Sequence, residues 1–522
     1  MTGVQPDPRE MLDQAVALRE ALASAQTGGD VNRLADLARA VTRAQASSPD
    51  STVQLAATVL AACSAHGEAL ETLKALRQRA PGLDQLALQI AGSHHAIGQS
   101  ADALAWVRQA MADFPLDEAA HRLGYTLELQ AGEAARASQC LDALTRIGQP
   151  LTLDPAERGE LLWLSGRAAE AVGFFRQAYD EGRREPRFLE SYLGLLTGEQ
   201  RFAEVLAIVE SLSPTELEAG RRALPMLVGH AKLALASAPG EAVRLAAARE
   251  AGDHWLSPQA LLAEIKAAIA HKRPFSLVRL GDGEARFLLY VLPELRPGLA
   301  PAEAVAIGDV IWDNWFGHPI TSVDPALLHD TLIAFRSAVT TADVLGVPDA
   351  ARMAGDTGHF GYMAAQEVWL SSLRLPQTTL FTDAFAHHHL QKLSPFLADL
   401  LQGLDVLGVV SPHPELAARL QHRLQIGRIV SHDLAGEGRL PTHRAARDME
   451  ATFPDAHRRI LGALDPPRPG AVYLVAAGLL GKIYCGRIRE LGGIALDVGS
   501  IADAWMGYNT RPGQLDTVQS LV

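Results

Sequence analysis

The chain has 522 residues, enough for two to four domains that each bury a core, and its 48% hydrophobic and 20% charged composition excludes a fibre or a disordered chain. A formal net charge of −13 opposes binding to nucleic acid or anionic lipid, so a phosphate-bearing small ligand has to be held by local groups or by a metal. Three cysteines (Cys63, Cys140, Cys485) lie too far apart for a metal or disulfide framework, and stretches such as Ala471 to Leu480 fall short of the roughly 20 apolar residues that cross a bilayer.

The start, Met1 to Glu10, is polar and acidic, and the expectation is a cytoplasmic protein without a membrane span. From about Val31 to Pro214 the sequence is rich in Ala and Leu, with apolar residues at helical spacing. Gly67, Gly98, Gly132, Gly166 and Gly198, together with Pro49, Pro81 and Pro115, punctuate it at intervals of about 34 residues. Glycine permits a tight turn between paired helices, and proline ends the second helix of a pair. Small residues after each glycine, as in Gly132-Glu133-Ala134-Ala135, let that helix pack closely. This stretch resembles the tetratricopeptide repeat family over about five degenerate units, which implies an all-α solenoid with a concave surface for a peptide or partner protein; a solenoid that only dimerises or spaces the chain is the alternative, and fusion to a second, unlike half suggests that it holds a protein or glycan-bearing partner. The segment Ala236 to Gly252, with Ser237-Ala238-Pro239-Gly240, reads as the way out of the repeats, so the domains are expected at 1–252 and 253–522.

After Ser257-Pro258, a helix start, the pattern changes to short apolar runs separated by helical stretches. Strands are expected at Phe275 to Leu280, Ala338 to Gly346, Thr378 to Thr382, Leu404 to Val410, Arg428 to Val430, Val472 to Ala476 and Ile494 to Val498. That alternation predicts an α/β domain with a largely parallel sheet, whose ligands bind beyond the carboxyl ends of the strands.

Three strand-end segments carry chemistry. In Arg279-Leu280-Gly281-Asp282-Gly283-Glu284, an extended backbone puts the two carboxylates on one side, as a Mg²⁺ or Mn²⁺ site needs; a surface turn with a capping Asp and a solvated Glu is the alternative. In Val475 to Tyr484, a strand runs through Gly478 and Gly481 into a helix carrying Lys482, where backbone N–H groups and an ammonium can hold phosphate; a glycine turn for close packing is equally consistent. In Gly493 to Trp505, a strand ends at Asp497, with Gly499-Ser500 placed to meet a base or ribose and Asp503 and Trp505 close behind. Further strand-end candidates are Asp349, Asp383, Ser411 with His413, and His432-Asp433, with His432 the better base candidate. The run His387-His388-His389 reads as a helix-start surface feature, because adjacent histidines diverge and chelate poorly.

Ser276 to Glu284, followed by Gly478-Leu479-Leu480-Gly481-Lys482 and Ala495 to Ser500, resembles the GT-D-fold glycosyltransferases, a bacterial family first described as a domain of unknown function in glycan and adhesin-glycosylation clusters. The likeness covers roughly Ser257 to Val522 and implies a Rossmann-like sheet, a nucleoside diphosphate sugar donor and a D-x-E metal motif on Asp282 and Glu284 with Mn²⁺ or Mg²⁺. The middle, Pro293 to Pro376, is too divergent to carry residues over. The expected catalytic residues are Asp282, Glu284 and His432, and the expected donor-binding residues Arg279, Gly281, Gly283, Ser411, Gly478, Gly481, Lys482, Asp497 and Ser500. Charge on the departing nucleoside diphosphate would be offset by the metal with Arg279 or Lys482. Competing expectations are a non-catalytic repeat scaffold with a nucleotide-binding domain and an S-adenosylmethionine-dependent methyltransferase, for which no acidic residue stands out at the end of the next strand. Sugar, nucleoside, acceptor, stereochemistry and self-association stay open.

Overall fold

The structure, a computed structural model, describes residues 8–26, 30–44, 48–219, 223–236, 239–355, 359–393, 396–435, 452–508 and 510. Residues 1–7 of the polar start, and Ser237 and Ala238 of the expected transition, lie outside the described residues. The chain divides into two compact units, Met1–Arg183 and Arg184–Val522. No described helix is long and apolar enough to cross a membrane.

The first unit is built of helix pairs, among them Leu86–Ala96 with Ser100–Asp113, Glu118–Gln130 with Ala134–Arg146, and Pro155–Leu164 with Ala168–Asp180. Left-handed residues close the turns at Ser64, Gly98, Gly132, Gly166 and Gln200, each 34 positions after the last, the final one continuing the register into the second unit. At each, the following N–H reaches back to a carbonyl of the preceding helix, as from Glu133 to Glu128 at 2.8 Å and from Ala65 to Leu60 at 2.9 Å, the closure that satisfies orphan carbonyls. Gly67 and Gly198, expected in these turns, are instead helical residues, which is why the glycine spacing alone departs from 34. In the same register Ala69, Ala103, Ala137 and Ala171 are fully buried, so the small residue after each turn is where paired helices touch.

The second unit holds a seven-stranded sheet, every strand parallel to its neighbours: β1 (Phe275–Arg279), β2 (Val344–Val347), β3 (Leu380–Asp383), β4 (Val406–Ser411), β5 (Arg428–Asp433), β6 (Val472–Val475) and β7 (Ile494–Asp497), in the order β3-β2-β1-β7-β6-β4-β5. Each expected strand is present, but Ala338 to Thr341 ends the helix Pro325–Thr341 instead of opening β2. Parallel strands joined through helices are covered on both faces, and side chains alternate between two cores. Val278, Tyr473, Val475 and Ala495 pack with the helices Asp282–Val291 and Gly478–Glu490; Phe275, Leu277, Leu474 and Leu496 pack with the helices Pro258–Ala270 and Ile501–Trp505.

The helices Leu224–Ala236 and Pro239–Glu250, on the repeat side of residue 252 in sequence, pack within the second unit. Leu233 joins the core with Ile307, Ala242 and Ala246 cluster with Phe360 and Met363, and Lys232 Nζ meets Glu303 at 2.7 Å.

A left-handed backbone costs a residue with a side chain about 1–2 kcal/mol that glycine does not pay. Ser64→Gly is therefore expected to stabilise the repeat unit by ~0.5–1 kcal/mol after glycine's greater unfolded freedom is offset. Gly132→Ala, whose added Cβ would meet nothing within 4 Å, is expected to destabilise it by ~1 kcal/mol through backbone strain alone. Urea unfolding of the two variants beside wild type measures both signs.

Candidate functional site

A cavity of about 1060 Å³ opens at the carboxyl edge of the sheet, with residues just past all seven strands in its lining. Its position follows from connectivity. The helix after β1 covers one face and the segment after its neighbour β7 turns to the other, so the chain parts above the sheet and leaves a crevice at the switch.

Beneath the cavity lies a network of four buried charges. Arg279 ends β1 opposite Gly346 of β2 and beside Gly499, where a side chain at either position would collide with it. Its Nε donates to the Asp497 carbonyl at 2.9 Å, Nη2 to Asp497 Oδ1 at 3.2 Å, and Nη1 to the Ala384 carbonyl at 2.9 Å and to His387 Nδ1 at 2.7 Å. Lys482 Nζ stands 3.1 Å from Asp497 Oδ2 and 2.9 Å from Glu284 Oε1, and donates to the Gly478 carbonyl at 3.0 Å. Burial opposes charge on both Lys482 and Asp497. The adjacent carboxylates nevertheless raise the lysine above its ordinary value, and Arg279 and Lys482 hold the aspartate below its own. Burial and Arg279 push His387 well down, so it faces the guanidinium as a neutral acceptor.

This network corrects the expected metal pair. Asp282 and Glu284 do not lie on an extended segment; they open the helix Asp282–Val291, where residues two apart project to opposite sides. Glu284 is buried with both oxygens committed, Oε1 to Lys482 and Oε2 accepting from the Gly281 N–H at 2.8 Å, a helix-capping bond. Only Asp282 faces the cavity with a partly exposed carboxylate, 3.5 Å from Arg286 and 3.8 Å from His359. The pair therefore does not fit a chelated cation, and among the described residues no group of three His, Cys, Asp or Glu side chains could hold one.

The glycines serve packing as much as ligand approach. A Cβ at Gly283 would lie 2.6 Å from the Trp315 ring and one at Gly478 would lie 3.2 Å from its Nε1, so both clear space for that indole, itself part of the cavity wall. Gly481 lies against Val475 and does not line the cavity, whereas Gly281 and Ser500 do. Besides Gly481, three expected residues stand away from the lining: Asp497, which lies in the network beneath it, Ser411 and His432. Ser411 is buried and its Oγ accepts from the His413 N–H at 3.1 Å. His432, expected as a base, is buried within β5 on the face that carries Tyr473, with the two rings stacked 6.4 Å apart. Burial lowers its pKa, and its Nε2 has no partner among the described residues.

The histidine run, by contrast, is not a surface feature. All three line the cavity from the helix Ala386–Lys392: burial lowers His388 to about 4, while a hydrogen bond from His389 Nε2 to Asp383 Oδ2 at 2.6 Å raises His389. Trp315, Phe385, Arg352, His359 and Lys392 also line it without having been singled out in the sequence. Trp315, Arg352 and Lys392 sit on helices and His359 and Phe385 immediately before helix starts, and only the order of the strands brings them to this edge.

No protein-family model and no curated protein matches the chain. Among solved structures it is similar to a tetratricopeptide repeat protein from Parabacteroides merdae ATCC 43184, at 16% identity over 45% of this chain and 91% of that one, with a TM-score of 0.28.

Removing one member of a buried ion network leaves its partners charged and uncompensated. Lys482→Met is expected to cost about 3–5 kcal/mol, while Lys392→Met on the exposed rim costs within about 0.5 kcal/mol. Because the Asp497 carboxyl is held below its ordinary 3.8, its stabilising contribution is present at neutral pH and is lost as pH falls below that value toward the lowered one. Thermal denaturation of the two variants between neutral and acidic pH checks both statements.

Proposed function

We propose that the second unit is a glycosyltransferase that moves a sugar from a nucleoside diphosphate sugar to an acceptor hydroxyl. One observation carries this reading. The three segments that resemble GT-D enzymes, far apart in sequence, meet at one cavity through the Arg279, Asp497, Lys482 and Glu284 network. The strand order and the helices on both faces support a Rossmann-like sheet of GT-D type. The cavity is large enough for a nucleotide and a hexose.

The roles follow from chemistry. The first-turn N–H groups of the helix Gly478–Glu490, which no N-cap side chain caps, suit the diphosphate, with Arg352 and Lys392 adding positive charge at the wall. The Trp315 ring offers an apolar face for base or sugar, and Asp349 offers a carboxylate to ribose or sugar hydroxyls. Arg279 and Lys482 act from beneath as a neutral, rigid floor, since each is already paired. No step is routed through a metal; Asp282 alone remains for a cation that arrives with the diphosphate.

The helical repeats hold the polypeptide or glycan-bearing acceptor in this reading, since a repeat surface needs only extended contact with a partner. One observation favours a second reading: Asp349 stands just past β2, where an acidic residue also meets the ribose of S-adenosylmethionine.

Thermal shift with nucleoside diphosphates, nucleotide sugars and S-adenosylmethionine, with and without Mn²⁺, separates these. One nucleotide-sugar class is expected to stabilise the protein by about 2.7 kcal/mol at a hundredfold excess over Kd, with Arg352→Ala weakening the effect. Stabilisation by S-adenosylmethionine alone would overturn the reading. Deleting residues 1–183, which leaves the helices Leu224–Ala236 and Pro239–Glu250 in place, is expected to preserve donor binding and abolish transfer to the natural acceptor, measured on isolated glycan-bearing partner.

A further inference from the structure

We propose that His389, oriented by Asp383, is the general base that deprotonates the acceptor hydroxyl in the transfer reaction. The inference rests on the glycosyltransferase reading and names a residue for the step that reading leaves unassigned.

Four histidine-bearing arrangements near the cavity are candidates, and geometry separates them. His359 lines the cavity, but its Nε2 stands 3.8 Å from Asp282 Oδ2, beyond hydrogen-bond reach, so that carboxylate does not fix its tautomer. His413 Nε2 pairs with Asp503 Oδ1 at 2.7 Å, but His413 is buried, does not line the cavity and packs under Tyr508 with ring centroids 5.5 Å apart. His387 is buried against Arg279, and His388 is stacked on Phe385 at 5.6 Å, so both are held neutral and poorly basic. His389 combines access with a partner: its side chain is 39% exposed, it lines the cavity, and it meets Asp383 at 2.6 Å.

The tautomer follows from the partner. A carboxylate only accepts, so Nε2 carries the proton toward Asp383 Oδ2, and Nδ1 is left with its lone pair for a substrate proton. Asp383 ends β3, and its other oxygen Oδ1 is buried without a partner among the described residues, so the imidazole is what this carboxylate serves. Base and orienting acid thus come from one strand end and the helix that follows it, the relation a positioned base requires.

The step balances without a further reactant. The acceptor oxygen forms a bond to C1 of the sugar as its proton passes to His389 Nδ1. The bond from C1 to the diphosphate oxygen breaks, and its electron pair leaves with the nucleoside diphosphate. The imidazolium then returns its proton to water.

The groups facing His389 are Asp383 from β3, Asp349 past β2, and His387, His388 and Lys392 on its own helix. The Asp383 hydrogen bond dominates and raises the imidazole above 6.5, against opposition from burial and Lys392. The base form is therefore lost as pH falls through this raised value, and removing the Asp383 charge shifts that loss to lower pH.

The test measures release of nucleoside diphosphate from the nucleotide sugar that best stabilises the protein, with water and glycerol as acceptors, across pH for wild type, His389→Gln and Asp383→Asn. Donor binding by thermal shift is followed on the same samples. The expected result is donor binding close to wild type in both variants, a loss of roughly a hundredfold or more in kcat for His389→Gln, and an acidic limb displaced to lower pH in Asp383→Asn. His389→Gln retaining kcat within a few-fold, an unmoved acidic limb in Asp383→Asn, or wild type that binds donor yet releases no diphosphate overturns the inference while leaving donor recognition standing. Failure of any nucleotide sugar to bind wild type sinks the glycosyltransferase reading itself, and the base assignment with it.

Discussion

The second unit depends on keeping four charges out of water together. Arg279, Lys482, Asp497 and Glu284 are each too costly to bury alone, and each is held by at least two of the others or by a backbone group. They come from the end of β1, the first turn of the helix after it, the helix after β6 and the end of β7. The network therefore fixes the relative heights of adjacent strands and of two helix starts, and the cavity floor is rigid because its charges are already satisfied.

That constraint explains the sharpest disagreement between expectation and geometry. A Gly-Asp-Gly-Glu segment after a strand reads equally as an extended acidic pair or as a helix start with Glu at its third position. The local sequence does not choose between them. The choice is made by Lys482, about two hundred residues away, which donates to the Glu284 carboxylate and leaves it unable to serve a cation in the same place. The glycines respond to a similar distant cause: Gly283 and Gly478 are bare because Trp315, from the divergent middle of the chain, occupies the space above both.

The repeat unit obeys a different rule. Its order is set by neighbouring helices, and the closing turn recurs every 34 residues whether glycine occupies it or not. Ser64 and Gln200 adopt the left-handed backbone because the helix before each has to end there for the next to pack, and packing outweighs the local preference. Small residues are more faithful markers than glycine, since Ala69, Ala103, Ala137 and Ala171 occupy a contact that admits nothing larger without repacking.

Periodicity alone was enough to read helix pairs at a 34-residue spacing, the seven strand segments and their parallel arrangement, because hydrophobic period and glycine or proline punctuation are local properties of the chain. Strand-end reasoning likewise found Arg279, Lys482, Asp497, Asp349 and Asp383. Tertiary structure decided what depends on distant partners: that the helices Leu224–Ala236 and Pro239–Glu250 bury their apolar faces within the second unit, that His432 is buried in β5 with its ring stacked beside Tyr473, and that His389 reaches the cavity with Asp383. An amphipathic helix announces that it has a face to bury but not against what, and a histidine announces a titratable ring but not its surroundings. Both are settled only when strand order brings remote segments to one edge.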